Sequence, residues 1–390
     1  MVSLTTAENA LKNLYLGVVS EQLNTGINPL LAKIKQTSSD VWGKQIVKLA
    51  PYGLNGGVGA GTETGDLPGA FGNNYAQFKL ELKNLYGTIE ISDKAIRASE
   101  NSAGAFVNLL NAEMEGLLKA SKFNFGRMLY GDGSGKLATT KTIEDATDFN
   151  IIELNSLKNV MEGMVIDVYL AANDTKVLSG RRILSIDREN STITVSGEVA
   201  SHIGTGHYIT VQGSKGLEIT GLGAIFSDSD LYGLSRSDYN WLKPYVKANA
   251  GEISSSMVQE AIDYIDEVAG GAINFIVCSY DVKRYYLDYL SLSRTNIDYM
   301  NLDGGYKALS YNGIPFVSDR FVSDGTMYLL NTDDFKLHQL CDWRWLEGEG
   351  GKIIRQKAGT PTYSATLVKY ADLICDKPIG QAKISGITTA

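Results

Sequence analysis

Residues 53–72 read GLNGGVGAGTETGDLPGAFG, and residues 75–83 read YAQFKLELK. The first stretch is glycine-rich and has no apolar period. The second alternates: Phe78, Leu80 and Leu82 share one face of a strand, and Lys79, Glu81 and Lys83 share the other. Ile46, Val47 and Leu49 supply a returning partner before the glycines. A flexible tip on a regular two-stranded ribbon describes an arm held out from a body. A lone ribbon of two strands is marginal in water. The expectation is therefore a hairpin unsatisfied by its own body, stabilised when it clasps an adjoining copy of the chain. Gly57, Gly61, Gly65 and Pro68 at the tip, with Phe78 and Leu80 on the strand, are the residues this reading places between subunits.

The rest of the composition bounds the function. The chain has 390 residues, 44% hydrophobic and 21% charged, as in ordinary globular proteins, and room for two or three domains. Its formal net charge of −8 comes with no basic stripe, so any nucleic acid is met as a container wall meets its contents, without sequence-specific binding. Cys278, Cys341 and Cys375 are odd in number and form no CxxC pair, which argues against a disulfide scaffold or a thiolate zinc site and fits a reducing compartment. No stretch approaches the roughly 18 apolar residues of a membrane helix, and the N-terminus lacks a signal-peptide pattern. The expectation is a soluble protein made in the cytoplasm, with no membrane partner.

Along the chain, Leu11, Leu14 and Val18 suggest a short amphipathic arm that stops at Pro29. Met114, Leu117 and Leu118 belong to a helical stripe running from about 102 to 130, which ends at Gly131-Asp132-Gly133-Ser134-Gly135. Between about 150 and 217 the pattern is all strand, predicting an inserted antiparallel barrel or sandwich. Alternating α and β follows. Ser256-x-x-Gln259 has capping-box form, Gly270-Gly271 closes that helix, and Asn312-Gly313 predicts a hairpin turn.

Candidate chemistry is thin. GDGSGK at 131–136 lacks the first glycine and the final Ser or Thr of a phosphate loop, and follows a helix where such a loop follows a strand. Gly57-Val58-Gly59-Ala60-Gly61 has no third glycine on the spacing of a dinucleotide fingerprint, and no helical pattern follows it. His202 and His207 have no acidic or thiolate residue placed to complete a tetrahedral metal site, and three histidines in all limit acid–base catalysis. Asp228 and Asp230 read as turn residues. Tyr285, Tyr286, Tyr289, Trp343 and Trp345 read as core or subunit contacts. No catalytic residue, cofactor or metal is assigned, and the chain reads as a non-enzyme.

The order of parts resembles the major capsid proteins of tailed bacteriophages, the Hong Kong 97-type fold. The resemblance rests on ELKNLYGTIEISDKAIRAS at 81–99, RMLYGDGSGKLA at 127–138 and GLEITGLGAIF at 216–226, with LDGGYKALSYNGIPFVSD at 302–319 and ATLVKYADLICDKPIG at 365–380. It implies an α+β fold with an N-terminal arm (1–40), an E-loop ribbon (41–92), a peripheral or P domain with a spine helix (93–144) and an axial or A domain (218–330). Residues 331–390 would return to the P domain, and the block at 145–217 would be an all-β insertion domain. The function implied is a virion shell subunit, assembled in the host bacterial cytoplasm into pentamers and hexamers that enclose double-stranded DNA. A separate scaffolding protein and a portal are expected partners, with a decoration protein on the insert a further one. Family members that cross-link use an E-loop lysine; here no lysine lies between Lys48 and Lys79, so no isopeptide cross-links are expected. The alternative on the same fold is an encapsulin-like compartment shell.

Overall fold

The computed structural model describes residues 29–94, 103–141, 150–199, 203–292, 299–301, 307–348 and 351–389. The expected N-terminal arm around Leu11, Leu14 and Val18, and also His202, lie outside the described residues. Side chains are not described at 103–111, 299–301 and 307–308.

The described chain opens with Leu30 and Leu31 buried, then β1 (Lys35–Thr37) and β2 (Val41–Trp42). Two long strands follow, β3 (Gln45–Tyr52) and β4 (Asn74–Glu81), paired antiparallel from Gln45↔Glu81 to Tyr52↔Asn74. After one residue the chain enters β5 (Lys83–Ser92), whose side chains alternate buried and exposed along the strand. The spine is α1, Ala103–Met128, whose 26 residues span about 39 Å at 1.5 Å each. Met114, Leu118, Phe123 and Phe125 bury its inner stripe.

The glycine run that ends α1 is explained by what packs on it. Gly133 and Gly135 take positive φ, and a Cβ on Gly135 would stand 2.7 Å from the Ser214 carbonyl oxygen. Opposite them, a Cβ on Gly221 would lie within 2.6 Å of three carbonyl oxygens, those of Met128, Leu129 and Gly131. The Leu222 N–H donates to the Leu129 carbonyl at 2.8 Å. The conformations and close approaches at 131–135 and 216–223 are thus two halves of one joint.

Between those halves stands the insert: β6 (Lys136–Thr139), β7 (Ile151–Glu153), β8 (Val165–Tyr169), β9 (Lys176–Asp187), β10 (Thr192–Val195) and β11 (Tyr208–Val211). They form one antiparallel sheet in the order β6-β11-β8-β9-β10-β7. Its ends meet through a Thr140–Leu154 bridge and the Asn155 N–H to Thr139 carbonyl bond, so the sheet closes into a barrel around Ile152, Ile166, Val168, Ile193 and Ile209. The insert begins earlier than its sequence pattern suggests, because β6, which the sequence reading leaves in the P domain, is an edge of this sheet. KLAT is too short to show a period of its own.

Downstream come α2 (Leu222–Ile225), β12 (Tyr245–Lys247), β13 (Gly251–Glu252), α3 (Ser255–Ala269), β14 (Phe275–Cys278) and α4 (Tyr280–Leu292). The cap of α3 is Ser254, whose side chain accepts from the Met257 N–H at 3.2 Å, and not Ser256. Gln259 is correspondingly no capping partner; its side chain meets Tyr311 and Asp263. Gly270 closes the helix at φ +54°. Then come β15 (Tyr299–Asn301), β16 (Lys307–Tyr311), β17 (Ile314–Ser318), β18 (Met327–Leu330), β19 (Phe335–Trp345), β20 (Arg355–Gln356), β21 (Thr362–Cys375), β22 (Ala382–Ile384) and β23 (Ile387–Thr388). Asn312 and Gly313, both at positive φ, make the β16–β17 turn.

Two larger sheets result, beside the two-stranded parallel pair β13–β23. In one, β21 lies between β19 and β5, and β1 pairs in parallel with β19. In the other, seven strands run in the order β12-β22-β18-β14-β17-β16-β15. Along β14, Phe275 and Val277 face the large core shared with α1 and the first sheet, whereas Ile276 and Cys278 face a second core under α3 and α4. The sequence reading sends the whole of 331–390 back to the P domain. Instead β19–β21 join β1 and β5 in the first sheet, and β22 pairs with β12 and β18 while β23 pairs with β13. A three-residue strand such as AKI gives no hint of its neighbours.

Candidate functional site

The ribbon is anchored at its base and open at its tip. Strand alternation turns Ile46, Ala50, Ala76 and Phe78 inward, where all four are buried. Phe78 packs against Tyr232 at 4.9 Å and Trp241 at 5.8 Å between ring centroids. Tyr52 stacks on Trp241 at 5.5 Å with planes 8° apart and meets Tyr239 edge-on. The Lys79 N–H donates to the Tyr232 carbonyl. Lys48 reaches Asp376 at 2.6 Å, and Lys336 holds the same carboxylate at 3.0 Å.

These contacts correct the expectation of a ribbon unsatisfied by its own body. Over residues 45–52 and 74–82 the chain supports its own ribbon, through aromatic residues within 232–241, much later in sequence. Phe78 is buried within its own subunit and Leu80 packs half-buried on the same core, so neither is an exposed contact.

Residues 53–73 differ. They carry no strand or helix. Asn55 and Asn73 close the neck, with the Asn55 side-chain amide N–H donating to the Asn73 side-chain oxygen Oδ1 at 2.9 Å. Asn55 also accepts from the Gly57 N–H, and the Gly65 N–H donates to Thr62. Gly57, Gly61 and Gly65 all keep ordinary φ. A Cβ on Gly65 would fall 2.5 Å from the Thr62 hydroxyl, whereas Gly61 has only a loose neighbour at 3.8 Å. Pro68 lies beside Gly59 and is exposed.

What the sequence reading passes over are the apolar residues among those glycines. Leu54 is 91% exposed, Val58 88%, Leu67 90% and Phe71 65%. Their signal is composition alone: large apolar side chains in a stretch that has no period and so no face to bury.

The other residues singled out in the sequence serve the fold. Arg127 and Glu218 form a buried bidentate pair at 2.8 and 2.6 Å across the joint that ends α1. Asp132 accepts from the Ser134 backbone and hydroxyl, which fixes the GDGSG turn. Burial pushes the Asp372 carboxyl up to about 6, against the opposing pull of N–H donors from Thr220 and Leu373. Asp319 is raised by burial too, and accepts from the Tyr130 hydroxyl. His338 is buried with Nδ1 2.9 Å from the Ser39 carbonyl, and desolvation lowers its pKa. His207 contacts Gly204. Trp343, Trp345 and Tyr286 lie in the cores, Tyr285 and Tyr289 are partly buried against them, and Asp228 and Asp230 are exposed. Among the described residues no cluster of three or more His, Cys, Asp or Glu is arranged to hold a metal, and no helix is long and apolar enough to cross a membrane.

A spine helix, a self-anchored ribbon with an open tip, a sheet built from distant strands and an α/β unit stitched to it together define the α+β Hong Kong 97-type fold. The chain is similar over nearly its whole length to the capsid protein of cyanophage A-1(L), with 97% of this chain and 95% of that one covered, 14% identity and a TM-score of 0.55. It also resembles, more distantly, the SrpI encapsulin of Synechococcus elongatus PCC 7942 (9% identity, 93% and 88% covered, TM-score 0.46) and the capsid of Myoviridae phage XM1 (11% identity, 93% and 92% covered, TM-score 0.42). No family model and no curated protein sequence matches the chain.

Proposed function

We propose that this chain is the major shell subunit of a tailed-phage head, assembling into pentamers and hexamers of an icosahedral particle that encloses double-stranded DNA. The observation that carries the reading is the loop at 53–73. It sets four large apolar side chains in water on a ribbon whose base is already fixed by its own core. A neighbouring subunit would cover them, contributing interface beyond that of the compact body. Similarity of fold to a cyanophage capsid chain over 97% of the length supports the same reading.

The role is structural. The subunit is displayed in the virion capsid after assembly in the bacterial cytoplasm, with a separate scaffolding protein and a portal as partners. The barrel at 136–211 is a surface on which a decoration protein would sit. A formal charge of −8 keeps the wall from adhering to packed DNA, which it contacts without sequence preference.

Deleting residues 56–69 tests this. The bond between Asn55 and Asn73 shows that the ends already lie together, so the variant is expected to be folded and soluble yet unable to form closed particles in negative-stain microscopy. Unchanged particles would refute the role of the loop. Particles purified with a protein cargo and no DNA would favour a compartment shell instead. Boiled wild-type particles are expected to run as monomers on a denaturing gel, and a ladder would refute the absence of isopeptide links.

A further inference from the structure

The sequence holds two Asn-Gly pairs, Asn55-Gly56 and Asn312-Gly313. At such a pair the glycine nitrogen can attack the carbonyl carbon of the asparagine side chain, because glycine has no Cβ to crowd the approach and its backbone turns freely. The surrounding backbone decides whether it does.

Asn55 and Gly56 are exposed and lie outside any strand or helix. The Gly57 N–H donates to Asn55 Oδ1 at 2.8 Å, so the side chain folds over the intervening Gly56 peptide. That fold brings Cγ toward the Gly56 nitrogen. The same donor also stabilises the charge that develops on Oδ1 during attack. Among the described residues the Gly56 N–H makes no hydrogen bond of its own, which leaves the attacking nitrogen unengaged. Asn312-Gly313 is the contrast. Both residues are held at positive φ between Tyr311 and Ile314, which pair as the closing rung of the β16–β17 ladder. The Asn312 side-chain amide also donates to Gln259 at 3.2 Å. Ring closure there must first undo the turn.

We infer that Asn55 is a self-modification site, converted to aspartyl and isoaspartyl forms through a cyclic imide. The Gly56 nitrogen gives its proton to solvent base and bonds to Cγ. The Cγ–Nδ2 bond breaks, and Nδ2 leaves as ammonia with a proton taken from water. Water then opens the ring without any oxidation or reduction. Opening at Cγ gives aspartate; opening at the main-chain carbonyl gives isoaspartate, whose backbone runs through Cβ. Nδ2 is the donor in the Asn55–Asn73 bond that closes the neck, so the reaction removes that bond. It also adds a carboxylate to residues 49–78, which already hold Glu63 and Asp66 and no lysine or arginine. The loop thus carries a clock that runs while the chain stands in solution. The chemistry belongs to the single chain and does not rest on the shell reading.

The test follows free subunits of the full chain, incubated at neutral and at mildly alkaline pH and digested with trypsin for mass spectrometry. Residues 49–79 come away as one peptide, because no lysine or arginine lies between Lys48 and Lys79. A digest at zero time subtracts what digestion itself causes, and isoaspartyl methyltransferase scores the isoaspartyl product. Acid is expected to accumulate at Asn55, in part as isoaspartate and faster at the higher pH. Asn312 should react slower by about tenfold or more, the factor that a local opening of about 1.4 kcal/mol imposes. Gly56→Ala should slow the reaction at Asn55 several-fold; its Cβ would stand 3.3 Å from Cβ of the exposed Phe71, which has room to give way. Loss of the Asn55 amide no faster than that of Asn312 would overturn the inference. So would acid formed without isoaspartate, or at an unchanged rate in Gly56→Ala, since neither passes through the ring.

Discussion

Replacing Phe78 by alanine, beside the matched change Phe71→Ala, separates the two halves of the ribbon. Phe78 is fully buried, in ring contact with Tyr232 and Trp241. A Phe→Ala change at such a site costs about 3–5 kcal/mol, because the neighbouring aromatics cannot collapse onto the space left. With a urea slope of about 3 kcal/mol per molar, that is a midpoint shift of roughly 1 M or more. Dissociated subunits would be unfolded in urea while following tryptophan fluorescence, to which Trp241, stacked on Tyr52, contributes directly. Phe71→Ala removes a side chain already in water, so its midpoint should match the wild type. Particle yield should then fall for Phe71→Ala although its subunit is intact. A Phe78→Ala midpoint indistinguishable from wild type would refute the anchored base. Equal losses for both variants would refute the division between base and tip.

Two further outcomes follow from buried groups and from topology. Asp372 titrates near 6 in the fold against about 3.9 unfolded, so the native state holds the extra proton between those values and this residue's contribution to stability falls as pH rises through that window, by on the order of 3 kcal/mol in full. Asp372→Asn stays neutral, so its urea midpoint relative to wild type should be higher at pH 7 than at pH 4.5; the same difference at both pH values would refute this. Ending the chain at residue 376 removes β22, which pairs with both β12 and β18, and Gln381, which binds the Asn331 N–H and Asp334. The truncated chain should be insoluble, and a soluble product with native near-UV circular dichroism would contradict the topology.

Local patterns in the sequence proved legible where the physics is local. The strands flanking the glycine-rich stretch follow from period two, the spine helix from its apolar stripe, and the β16–β17 turn from Asn312-Gly313. What escaped depends on partners far along the chain. The sequence of the ribbon does not show that Trp241 and Tyr232 will brace it, nor that β1 will lie beside β19 some 300 residues later. Phe78 looked like an interface residue because alternation reveals that a face is apolar but not whose core covers it. The apolar residues of the tip were hidden by the opposite problem, since side chains without a period suggest no surface at all.

The position of β22 has a consequence for the making of the protein. It sits inside the seven-stranded sheet, with strands from much earlier in the chain on either side. A ribosome that stalls at residue 376 has already delivered the ribbon, the spine, the barrel and every strand of the other sheet, yet the gap between β12 and β18 is still empty. Such a fragment would present the exposed loop on a body whose seven-stranded sheet is incomplete. Reading through to residue 384 therefore completes the seven-stranded sheet, and in a shell of the kind proposed an unfinished polypeptide would be excluded by its own missing strand.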